Sequence, residues 1–185
     1  MERERPIPKG PGFKASYLVR GLPGHPLHPP LTDAAIGGFT VATVLAALHM
    51  LGASEENTAV AWWLTLLIAE ILAGLAAITG FIDWLRISVG TPLWRTATAH
   101  FAAMVLTAAL FALTLVIGHG DYVDREITAV PFLLNLIAYG MLILGGWLGG
   151  TIVFVHGMRV LNLTEEPARR AVSPVPKREK ELAEG

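Results

Sequence analysis

Two imidazoles, three prolines and a carboxylate fall within the ten residues Gly24-His25-Pro26-Leu27-His28-Pro29-Pro30-Leu31-Thr32-Asp33, just ahead of the first long apolar run. A proline pushes the residue before it out of the α region, so an extended backbone is expected at His25 and His28. In polyproline II one turn takes three residues, which would point both rings the same way, about 9 Å apart along the axis. That is too far to grip one small ion without a turn. The stretch reads as an arm presenting nitrogen donors to something wide, or to two neighbouring sites.

Three more chemically capable residues recur at comparable places. Asp83 lies just before Arg86, His100 soon after Arg95, and His156 just before Arg159. A haem held by two imidazoles needs ligands on different helices at one depth, an apolar slot, and cations for its propionates. His100 and His156 are the expected axial pair, with Arg86 and Arg95 placed to meet propionates and Asp83 to orient one imidazole as an acceptor. Gly145 and Gly149 precede His156 on the same helical face, where bare backbone would suit either a packed neighbour helix or a flat macrocycle. The alternative is a compact non-haem site in which His25, His28, His100 and His156, with Asp83, hold Fe, Zn or Cu.

The elements that must position these groups are all helices. The chain has 185 residues, of which 53% are hydrophobic, and a mean hydropathy of +0.53, outside the range of an ordinary soluble domain. Four apolar runs, about 34–53, 59–83, 96–117 and 129–155, are each long enough to cross a hydrocarbon core of roughly 30 Å. The fold class is therefore all-α, an integral membrane bundle of four transmembrane helices. Thr32 or Asp33 is the expected N-cap of the first span. A basic arm rich in proline and glycine (1–24) precedes the bundle domain (25–160), and a charged tail (161–185) follows it, expected to be flexible. No secretory signal is expected, because the first 20 residues lack an apolar core. The four spans carry no repeat that stands out.

Lys and Arg gather in the N-terminal arm, in the connection holding Arg86 and Arg95, and in the tail, whereas the other two loops are mainly acidic. The positive-inside rule then puts both termini in the cytoplasm, at a bacterial inner membrane, with His25, His28, Asp83, His100 and His156 in the cytoplasmic leaflet. Trp62, Trp63 and Tyr122 would mark the outer interface, Trp84 and Trp94 the inner one. On the third span His100, Met104, Thr107, Phe111 and Thr114 share one face. Glu70, mid-span in the second helix, would be protonated or paired, with His49 or Thr114 as partner. A satisfied contact between helices is the preferred reading over a proton route. His119 is expected to be a solvated surface residue.

Composition also excludes. With no cysteine, disulfides, thiolate zinc sites and iron–sulfur clusters are ruled out for this chain. A net charge of −1 gives no case for nucleic acid as a partner. No Ser-His-Asp arrangement or phosphate-binding loop supports a stand-alone enzyme.

The segments GHPLHPPLTDAAIGG, TGFIDWLR, RTATAHF and GGWLGGTIVFVHGMRV, in that order, resemble a bacterial membrane family known as domain of unknown function 2231. The resemblance covers about residues 20–160 and places the family's motif positions at His25, His28, Asp83, His100 and His156. It implies four transmembrane helices and, in many relatives, a Rieske-type iron–sulfur domain after the last helix, hence membrane redox work. The tail here carries no Cys-His pairs, so any Rieske partner would be a separate chain. Together these features suggest a haem b or metal-binding subunit passing electrons between a redox partner and quinone, within a homo- or hetero-oligomer. A cofactor-free structural subunit is the remaining alternative.

Overall fold

The computed structural model describes residues 14–22 and 25–160; most of the basic arm and the charged tail lie outside the described residues. The described chain divides into two units, after Leu27 and after Met158.

The larger unit holds four long helices, α2 (His28–Met50), α3 (Glu55–Trp84), α4 (Pro92–Ile117) and α6 (Ala129–Phe154), with the short α5 (His119–Asp124) before the last. All four long helices have the length and apolar composition to cross a membrane. They run alternately up and down. Trp84 donates to Thr98 and the Thr96 hydroxyl meets His156 at one end, while His49 meets Thr58 and Ile127 at the other.

α2 begins at His28, six residues earlier than the sequence suggests. Pro29 and Pro30 occupy its first turn, where an amide N–H has no intrahelical acceptor and its loss is harmless. The extended conformation expected for His28 is therefore wrong. Nor is Thr32 an N-cap: its hydroxyl donates back to the His28 carbonyl at 2.6 Å. α4 starts as a helix should, with Thr91 accepting the Trp94 N–H at 3.1 Å and Pro92 in the first turn.

The core is built on close approach. Phe39 of α2 and Phe111 of α4 stack at 4.0 Å between centroids, 5° from parallel. Around them Ala42, Ala46, Ala59, Ala69 and Ala138 are fully buried. Small residues at such seams let helix backbones approach, which is what drives association where lipid is as apolar as the side chains. The outer faces carry Ile68, Ile71, Ile78, Val116, Ile137 and Ile143, as lipid contact requires. Trp62 faces the bundle interior rather than lipid headgroups. It is fully buried and donates its indole N–H to Asn135 at 3.1 Å, and Asn135 in turn donates to Thr43 at 2.8 Å. Trp63 does sit near the helix ends, stacked on Tyr122 at 4.7 Å and edge-on to the exposed His119.

The bundle contains an internal repeat. Shifting α2 by one constant offset takes His28 to His100, Ala35 to Thr107, Phe39 to Phe111, Ala42 to Thr114 and His49 to Asp121, buried residue onto buried residue in every pair after the first. A second constant offset takes Trp62, Leu66, Ala69 and Ala76 of α3 to Pro131, Asn135, Ala138 and Gly145 of α6. The α2–α3 and α4–α6 pairs are thus two versions of one hairpin. Few residue types coincide, which is why the sequence hides the relation.

In the smaller unit, α1 (Tyr17–Arg20) leads into β1 (Gly21–Leu22), which pairs antiparallel with β2 (His25–Pro26). Gly21 has φ +77°, and a Cβ there would run into the His25 carbonyl. Arg159 donates to the Arg20 carbonyl at 3.4 Å. His25 is extended, as expected, and exposed.

Candidate cofactor-binding site

The helix repeat gives His28 and His100 the same surroundings. His28 Nδ1 lies 2.9 Å from the Ala76 carbonyl oxygen of α3, and His100 Nδ1 lies 2.8 Å from the Gly145 carbonyl oxygen of α6. Ala76 and Gly145 are themselves equivalent. A carbonyl oxygen only accepts, so both imidazoles must carry their proton on Nδ1, and the basic lone pair of each neutral ring is on Nε2. Metal-ligating histidines are commonly fixed in this way by a backbone carbonyl on the other nitrogen.

The next turn repeats as well. A Cβ added at Gly80 would lie 2.7 Å from His28 Cε1, and one at Gly149 would lie 3.1 Å from His100 Cε1. Each ring rests on a glycine one turn after the carbonyl it bonds. Thr79 adds a hydroxyl 3.3 Å from His28 Nδ1.

Of the other expected site residues, four stand at this same end of the bundle. His156 follows α6, half-buried, with Nε2 3.1 Å from the Thr96 hydroxyl in the first turns of α4. Asp83 is buried in the last turn of α3. Arg86 and Arg95 are exposed at this same end. His25 belongs to the other unit. The glycine face of α6 does not carry a bare slot. Met104 Sδ covers Gly145, where a Cβ would lie 2.5 Å from it, and His100 covers Gly149. Side chains of α4 fill the space beside both glycines, as helix packing requires. Among the described residues no three His, Asp or Glu side chains converge as a compact metal site would need.

Sequence reasoning missed Gly80, the Ala76 carbonyl and Thr96. Gly80 had a visible signal, since it stands in the TGFIDWLR segment one turn before Trp84. A backbone carbonyl leaves none.

A family model described as a predicted membrane protein, DUF2231, matches residues 24–162. The chain belongs to that family. The match contains all four transmembrane helices of this DUF2231 protein, together with His25, His28, Asp83, His100 and His156. No curated protein and no solved structure matches it.

Proposed function

We propose that this membrane protein is an electron-transfer subunit that holds a b-type haem through imidazoles at one end of its bundle. One observation carries the reading: His28 and His100 stand at equivalent positions of two hairpins, each with Nδ1 fixed by a backbone carbonyl and Nε2 carrying the lone pair. That donor set suits bis-imidazole ligation from two helices. His28 therefore takes the place of His156 as the counterpart of His100 because, of the two, it is His28 that shares with His100 a backbone carbonyl on Nδ1, whereas His156 meets the Thr96 hydroxyl through Nε2. When bound, haem would supply one-electron exchange between a redox protein, Rieske-type or other, and quinone. The chain's own part is to fix both rings and to keep the tautomer that ligation needs. Arg86 and Arg95 are available at this end for propionates or an acidic partner surface. The basic connection between α3 and α4 would put this end on the cytoplasmic side of a bacterial inner membrane, with homo- or hetero-oligomeric assembly around it.

The visible spectrum of protein expressed with haem supply tests this. A Soret band that is lost in both His28→Ala and His100→Ala, but kept in His156→Ala, is the expected result. A preparation without haem but with stoichiometric Fe, Zn or Cu would replace haem with a non-haem metal. A second reading has its own support, since the same imidazole–carbonyl bonds also tie the helices of each hairpin together. On that reading the protein is a structural subunit, and neither spectrum nor metal content would respond to any of the three substitutions.

A further inference from the structure

We propose that Glu70 is a proton-binding site in the middle of the membrane. Glu70 lies at the midpoint of the 30-residue α3, about 20 Å from either end at 1.5 Å per residue. Its Oε2 is buried and has no hydrogen-bond partner among the described residues. The pairing with His49 or Thr114 expected from sequence does not occur: His49 bonds Thr58 and the Ile127 amide, and Thr114 donates to the Leu110 carbonyl.

The internal repeat explains the missing partner. The offset that relates α3 to α6 takes Glu70 to Tyr139, whose hydroxyl donates to Thr40 at 3.4 Å. The offset that relates α2 to α4 takes Thr40 to Ala112. One half of the bundle sets a phenol against a hydroxyl, and the corresponding position for Glu70 is a methyl group. A neutral pair has been exchanged for a lone carboxyl group. An ionised carboxylate at this depth, with neither cation nor donor, is strongly disfavoured, so the acid form holds the proton here. A glutamine would fill the same volume. What the carboxyl adds is the ability to release and rebind that proton.

The other ionisable side chains of α3 and of the helices packed on it stand near helix ends. They are Glu56 and Asp83 of α3, His28, Asp33 and His49 of α2, Arg95 and His100 of α4, and His119, Asp121 and Asp124 of α5. None of them is hydrogen-bonded to the buried Oε2. The inference does not rest on the imidazole pair and stands or falls without a cofactor.

Infrared difference spectra of the full chain in lipid vesicles, taken across pH steps, decide it. The expected result is a protonated-carboxyl C=O band at neutral pH that Glu70→Gln removes and that gives way to carboxylate bands as the pH rises. Ala112→Thr, which installs the hydroxyl present in the other half, should shift that band by accepting the carboxyl O–H as Thr40 accepts the Tyr139 hydroxyl, and gives a reading even if Glu70→Gln does not fold. Three results overturn the proposal: only carboxylate bands at neutral pH, a C=O band unaffected by either substitution, or one that never titrates while the fold persists.

Discussion

The two hairpins of this bundle solve the same problem with different residues. In both, a histidine at the start of the first helix bonds a carbonyl of the second and rests on a glycine one turn further on. In both, a phenylalanine from the first helix meets its counterpart at the centre. Elsewhere they part. Leu66 in one is Asn135 in the other, and His49, which meets Thr58, corresponds to Asp121, which accepts the Thr128 N–H at 2.8 Å. Features present in both halves answer to the shared geometry, whereas those found in only one answer to a local need. The histidine–glycine arrangement belongs to the first class, Glu70 and Asn135 to the second.

Breaking the shared centre should have the largest effect. Phe39→Ala or Phe111→Ala removes a fully buried ring from a stacked pair. Unfolding within a membrane returns side chains to lipid rather than water, so the cavity and lost dispersion contacts dominate over transfer. A cost near the low end for such substitutions, about 3 kcal/mol, is expected for either one in reversible unfolding from mixed micelles. Equal costs support the repeat, while a difference of more than about 1 kcal/mol would show the halves to be mechanically unlike.

The glycine pair gives an unequal test. An alanine methyl at Gly80 would stand 2.7 Å from His28, so the ring must move, whereas at Gly149 the corresponding 3.1 Å asks His100 to give by tenths of an ångström. Gly80→Ala should cost about 1–3 kcal/mol as overpacking, and Gly149→Ala less. If the imidazoles ligate a cofactor, Gly80→Ala should also disturb its spectrum more than Gly149→Ala does. The reverse order would mean that the α4–α6 hairpin is the more rigid of the two.

Next in size is Asn135→Leu, which copies Leu66 into the other half. It leaves the buried Trp62 N–H without its acceptor and Thr43 without a donor to its oxygen. Hydrogen bonds between membrane helices contribute modestly, so a loss of about 1 kcal/mol is expected, rising toward 2 if the indole finds no other partner. Trp62→Phe in the same background should recover part of it, because the orphaned donor goes too. Failure to recover would place the asparagine's importance in its bond to Thr43 instead.

How far the sequence foretold these contrasts depends on what kind of signal each left. Four apolar runs mark the spans, whereas the six-residue α5 inside the third connection is too short to leave a run of its own. The start of α2 was misread because Pro29 and Pro30 look like breakers until one notes that a helix's first turn has no N–H bonds to lose. The repeat was illegible because equivalence here is one of position: Ala42 and Thr114, or Ala35 and Thr107, are matched in burial but not in name. The gathering of His28, His100, His156 and Asp83 at one end followed from span positions alone. Which imidazole answers which did not, since that depends on carbonyls of Ala76 and Gly145, and any residue at those positions would supply one. Trp62 reads by its type as an interfacial anchor, and nothing in the sequence announces that its indole turns inward to Asn135.

The smallest effect is expected where the halves are joined by an exposed contact. Arg125 donates to Glu56 at 3.2 Å, linking the start of α3 to the residue that follows α5, with both side chains more than half exposed. Solvent screening and the entropy of holding two long side chains reduce such a pair to at most about 0.5 kcal/mol. Arg125 also has φ +58°, a left-handed conformation that favours glycine. Arg125→Ala should therefore leave the thermal midpoint nearly unchanged, and Arg125→Gly should match or exceed it by relieving that strain. High salt should have little effect on the parent protein for the same reason. This end is held instead by buried contacts, with His49 Nε2 accepting the Ile127 N–H and Asp121 accepting the Thr128 amide and hydroxyl. A large drop from Arg125→Ala with Arg125→Gly equally damaged would reverse that ranking. It would make the exposed ion pair, rather than the two buried acceptors, the fastening between the hairpins at this end.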